Sequence, residues 1–96
     1  MSVHISSDAE ADIAEGYWFY ETQATGLGDY FRDCMLADID SLLFYGGIHE
    51  VVHGYHRMLA KTFPFSIYYK MRDEDVIVVA VLDARRDPLW IRNRLS

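Results

Sequence analysis

Phe65-Ser66-Ile67-Tyr68-Tyr69-Lys70-Met71-Arg72-Asp73-Glu74-Asp75-Val76-Ile77-Val78-Val79-Ala80-Val81-Leu82-Asp83, residues 65 to 83, decides the fold. Its first part alternates, with Phe65, Ile67, Tyr69 and Met71 on one face, as a half-buried strand does. Arg72-Asp73-Glu74-Asp75 is a polar hairpin turn. Val76 to Leu82 follows as an unbroken apolar run, so both of its faces are expected under cover, as in an interior strand. The strand then delivers Asp83, Arg85, Arg86 and Asp87 before Pro88 stops it, and Pro88 to Leu95 reads as a terminal helical turn with proline near its start.

Working back from this hairpin, the period changes. Ser7-Asp8-Ala9-Glu10 fits a capping box, and Ala9, Ile13, Tyr17 and Tyr20 follow helical spacing, so a helix is expected from about 8 to about 23. Thr25 to Gly28 is a short turn. Leu27, Phe31, Cys34, Met35, Ile39, Leu42 and Leu43 then mark a second helix that ends at Gly46-Gly47. So short a connection makes the pair an antiparallel helical hairpin. A possible strand at 57–61 and a short one at Val3 to Ser6 complete an α+β layer of helices on a small antiparallel sheet. The expected core is Ile13, Tyr17, Phe31, Met35, Ile39, Leu42, Ile67, Val78 and Ala80.

Ninety-six residues make one domain, 1–96, with seven Tyr, five Phe and two Trp to fill its core. The single cysteine, Cys34, lies in an apolar helical pattern and is expected as a core thiol. No signal-peptide pattern and no membrane-length apolar run are present, so a reducing cytoplasm is the expected setting. The charge is −6 but uneven: residues 1–54 hold ten acids and one base, and residues 55–96 hold eight bases and five acids. That argues against bulk nucleic-acid affinity while leaving room for one basic face.

The candidates for chemistry are few. His49, His53 and His56 fall in a glycine-bounded loop without ligand register, so a solvated loop is expected in place of a metal site. Asp8, Glu10, Asp12, Glu15 and Glu21 read as a cap and a solvated helix face, and Asp38 and Asp40 as solvated too. Arg57, Lys61, Lys70, Arg85 and Arg86 sit on or beside the strands. Two readings of them stay open: a shared basic surface for phosphate or carboxylate, or local pairing, such as Arg85 or Arg86 with Asp83 or Asp87.

Ser6 to Ile13, Phe63-Pro64-Phe65-Ser66-Ile67-Tyr68-Tyr69 and Val81-Leu82-Asp83-Ala84-Arg85-Arg86-Asp87-Pro88, in that order, resemble the RelE/ParE superfamily, the toxins of bacterial type II toxin–antitoxin (plasmid stabilisation) modules. The likeness runs from about residue 4 to Leu95. It implies a helical hairpin on a small antiparallel sheet, in agreement with the reading above, and a cognate antitoxin as partner, with DNA contacted only through it. RelE-like members cleave messenger RNA in the ribosome; here Arg57, Lys61 and Arg86 would be the catalytic set. ParE-like members poison DNA gyrase by protein contact and need no catalytic residues.

The Phe63-Pro64 and Arg85 to Pro88 motifs look more ParE-like, so that branch is favoured. Trp90 stands in a final segment without tyrosine, there are only two lysines, and Asp83 replaces a histidine common in the family. Arg57, Lys61, Arg85 and Arg86 are then the expected target-binding patch, with Asp83 ordering the arginines. No metal or cofactor is implied. An inactive homologue that only binds antitoxin and helps repress its operon is the remaining alternative.

Overall fold

The computed structural model describes residues 1–96. The chain runs β1 (Val3–Ile5), α1 (Ser7–Glu21), α2 (Leu27–Asp40), α3 (Leu42–Tyr45), β2 (Val51–Val52), β3 (Tyr55–Leu59), β4 (Phe65–Arg72), β5 (Asp75–Asp83) and α4 (Pro88–Leu95). The five strands order as β1-β5-β4-β3-β2. All neighbours are antiparallel except β1, which pairs in parallel with β5 through Val3–Val76 and Ile5–Val78. The sheet is therefore mixed at that edge, where a purely antiparallel one was expected. The connection from β1 to its parallel partner β5 runs through all the intervening helices and strands, well beyond the crossover length that parallel strands require.

β5 is interior, and its continuous apolar run is explained by cover on both faces. A bulge makes this possible: Tyr68 opposes Ala80 and Tyr69 opposes Val78, so Val79 is the extra residue. Val76, Val78 and Val81 face the helical hairpin and join a core of fourteen buried residues that includes Phe31, Met35, Ile39, Ile67 and Tyr69. Val79, Ala80 and Leu82 face the other way, where Tyr68, Ile91 and Leu95 form a smaller core beneath α4. Ala80 is thus buried as expected, but in a second core. Tyr17 is only half-buried, because its ring lies at the outer edge of α1, beneath the Arg32 guanidinium.

The two helices of the hairpin cross tightly. A side chain at Gly16 would place its Cβ 2.5 Å from the Phe31 ring, so only glycine lets that ring lie against α1. Local corrections have local causes. α1 is capped by Ser6, not Ser7: Ser6 Oγ accepts the Ala9 N–H at 3.1 Å while the Ser6 N–H is held by the Val78 carbonyl. The second helix does not run through to Leu43. Ser41 Oγ donates to the Asp38 carbonyl at 2.6 Å, and the helix breaks there into α2 and α3.

The strand expected at 57–61 begins two residues earlier, with β2 ahead of it. His53 and Gly54, at φ 54° and 86°, make the two-residue turn between them. Lys61 lies beyond the strand. No helix is long and apolar enough to cross a membrane.

Candidate functional site

The end of β5 carries the residues that the motif reading singled out. Asp83 is the last residue of the strand, opposite Phe65. Its carboxylate accepts the Arg85 backbone N–H at 2.8 Å and both ends of the Arg85 guanidinium at 3.0 and 2.7 Å. The hydrogen bonds from Arg85 hold the Asp83 carboxyl below the usual carboxylate range, against an opposing contribution from burial. Asp83 therefore stays ionised near neutrality and orders Arg85.

Arg86 is held differently. Its guanidinium lies 3.9 Å over the Trp90 ring and 3.5 Å from Glu15 on α1. Asp87 Oδ1 accepts the Leu89 N–H at 3.0 Å and caps α4, with Pro88 as its first residue. The cap fixes where Trp90 emerges, and Trp90 fixes Arg86.

Between α1, the end of β5 and α4 runs a cleft of about 200 Å³, floored by Gly16, Phe65, Val81 and Leu82 and rimmed by Phe19, Arg86 and Trp90. Asp12 closes one side. Past Ile5 the chain turns into α1, which leaves the Val81 N–H without a strand partner, and Asp12 Oδ2 takes that N–H at 3.0 Å. Both Asp12 oxygens also accept the Arg94 guanidinium of α4, at 2.8 and 2.7 Å. Desolvation outweighs these bonds and pushes the Asp12 carboxyl above its ordinary value. Asp12 is thus a clamp across three elements and not a solvated helix acid. Glu21 is likewise engaged: it accepts the N–H groups of Gly26 and Gly28 and closes the turn between α1 and α2. Asp38, expected in solvent, is buried against the Lys61 N–H at 3.1 Å. Such contacts span distant residues, so no local pattern announces them.

The four cations expected to form one patch are each engaged locally on different elements. Arg57 lies on β3 opposite Tyr68, donates to Glu50 at 2.6 Å and buries its Nε without a partner. Lys61 sits beside α2, Arg86 lines the cleft, and Arg85 is held on Asp83 at its margin.

Two histidines were also misplaced by the loop reading. His49 Nδ1 meets the buried Tyr69 hydroxyl at 2.5 Å, and the Gly47 N–H donates to the same oxygen at 3.0 Å. His56 stacks on the Tyr69 ring at 4.9 Å and donates from Nδ1 to the His49 carbonyl at 2.6 Å. Only His53 is at an exposed turn. The Val-Val-His-Gly-Tyr run, two apolar residues and a glycine turn, was the available signal for this hairpin. No three His, Cys, Asp or Glu side chains converge as metal ligands would.

No protein-family model matches the chain, and no curated protein matches it. Among solved structures, it is similar to a chain of the chromosomal ParDE toxin–antitoxin system from P. aeruginosa, with a TM-score of 0.77 at 15% identity, covering 88% of this chain and 97% of that one. At that identity the likeness is one of fold.

Proposed function

We propose that this chain is the toxin of a type II toxin–antitoxin module, that it acts in the ParE manner by protein contact on DNA gyrase, and that a cognate antitoxin neutralises it. The observation that carries the reading is the state of its cations. Arg57, Arg85, Arg86 and Arg94 each face a carboxylate, from Glu50, Asp83, Glu15 and Asp12 respectively. A messenger-RNA cleavage centre needs cations free to hold a scissile phosphate, beside a proton donor and acceptor. Arginines already neutralised and stacked suit recognition of a protein surface better. The fold likeness to a ParDE chain supports the module; gyrase as target rests on the sequence resemblance.

Of the two adjacent arginines, Arg86 is the freer. Its contact with the exposed Glu15 is long, and its ring support leaves N–H edges available to a partner carboxylate. Arg85 is bound by three hydrogen bonds to Asp83. Arg57 and Lys61 then serve as further contacts in target binding.

Induction in a bacterial host should arrest growth, and purified protein should inhibit gyrase supercoiling while leaving translated messenger RNA intact. Changing Arg85 and Arg86 together to Ala should abolish arrest with the protein still folded. Ribosome-dependent cleavage by the unaltered chain would overturn the reading in favour of a ribonuclease. Absence of arrest with retained antitoxin binding would mark an inactive homologue.

A further inference from the structure

The outer edge of the sheet is incompletely covered. β2 spans two residues, and beyond it the Arg57 N–H is taken by the Glu50 carbonyl. The Ala60 N–H points inward to the Phe65 carbonyl. Alternation along the strand therefore turns the N–H and C=O of Leu59 outward, and nothing in the chain pairs them. Such an edge is a template for another strand.

Beside that edge lies a cleft of about 280 Å³ between α2, α3 and β3, lined by Asp38, Tyr45, Ile48, Leu59 and Lys61 among others. Its rim is apolar: Tyr45 is 56% exposed, Ile48 72% and Leu59 63%, with Phe44 alongside at 83%. Its floor holds a carboxylate. Asp38 is 7% exposed; Oδ2 accepts the Lys61 backbone N–H, Oδ1 has no partner, and no ion pair reaches it from the Lys61 ammonium. Oδ1 is not sealed from solvent, so it opens to the cleft and can meet a cation from outside.

We infer that an extended segment of a partner chain continues the line of β2 along Leu59 and inserts a basic side chain, flanked by apolar neighbours, between Tyr45, Ile48 and Leu59 onto Asp38. Main-chain bonds to Leu59 fix its register, and the basic head group selects it. The identity of the partner as an antitoxin rests on the reading proposed above; the chemistry of the segment does not.

A blocked heptapeptide, Val-Thr-Val-Arg-Val-Thr-Val, is the probe. On titration, the backbone amide resonances of Leu59 and Lys61 should shift. Asp38→Asn keeps an acceptor for the Lys61 N–H, so its melting temperature should match the parent's while peptide affinity falls about tenfold, as for loss of one charge-assisted hydrogen bond. Replacing the peptide's Arg with Gln should cost the same factor. Equal binding of the Gln peptide, shifts confined to other residues, or no shifts at all would each overturn the inference. Co-expression with the product of the neighbouring reading frame tests the antitoxin reading separately. Co-purification that Asp38→Asn does not weaken sinks only the proposed anchor. Peptide binding without co-purification sinks only the antitoxin reading.

Discussion

The two faces of the sheet are held down by different physics. Under the helical hairpin, fourteen residues form a dry, aromatic-rich core in which Phe31 packs against Tyr20, Phe63 and Phe65 with ring centroids 4.9 to 5.1 Å apart. Under α4 only five residues are buried, and the helix is tied on by the Arg94–Asp12 bridge. The first face draws its stability from packed volume, which is non-directional and tolerates little loss. The second depends on a polar clamp of defined geometry. The cleft and Arg86 sit beside the thinner side, where opening costs least and a partner can be accommodated.

The sharpest way to break this contrast is to cut the larger core. Phe31→Ala removes a fully buried ring and should cost about 3–5 kcal/mol by urea denaturation. A loss no larger than that of a surface change would show that the hairpin face is not the principal core. Next is the clamp. Asp12→Ala strands both the Arg94 guanidinium and the Val81 N–H, so it should cost about 3 kcal/mol despite leaving every apolar contact in place. Asp12→Asn, which still offers an acceptor to Val81, should cost less.

Ile91→Ala on α4 should cost about 2 kcal/mol, at the low end for such a deletion because a terminal helix can detach alone. Amide exchange should show α4 opening while β4 and β5 stay protected. Uniform loss of protection would mean that the two faces unfold as one unit.

The smallest expected effect is one of pH. Burial, and next the charge of His56, lower the His49 pKa below its usual 6.5. An unfolded His49 then binds a proton that the folded one resists, so its contribution is complete above pH 6.5 and is lost as pH falls through that value toward the folded pKa. The ring nitrogen nearest this buried setting is Nδ1, which shares a hydrogen bond with the Tyr69 hydroxyl. Melting temperature should therefore drop between pH 7 and pH 5, and His49→Gln should flatten part of that drop. Asp12, raised by burial, contributes with the opposite sign, so the difference between the two proteins is the informative quantity. An identical pH profile in the variant would remove His49 as the cause.

Much of the architecture was legible because it is written in short-range periodicity. The β4–β5 turn, the hairpin of helices, the interior position of β5 and the proline start of α4 each follow from residues within a few positions of one another. Asp83 as the residue that orders Arg85 was legible for the same reason, being two positions away. The site was legible only in part. Arg57 and Lys61 were grouped with Arg85 and Arg86 because all lie on or near strands, but the partner that holds each, Glu50, Asp83 or the Trp90 ring, follows from the fold. Asp12 and Asp38 read as solvent acids because helical spacing says nothing about an N–H offered from residue 81 or 61.

What the amino-acid order determined by itself was the set of elements and their apolar faces, since hydrophobic period, turn residues and caps act over one or two turns of chain. What only the tertiary structure decided was where the polar groups end. The parallel seat of β1, the bulge at Val79, the clamp of Asp12 on Val81 and Arg94, and the His49–Tyr69 bond all join residues far apart in sequence or turn on strand register. A buried polar group must find a partner wherever the fold supplies one. Position along the chain does not encode that partner, because only the closed sheet brings it within reach.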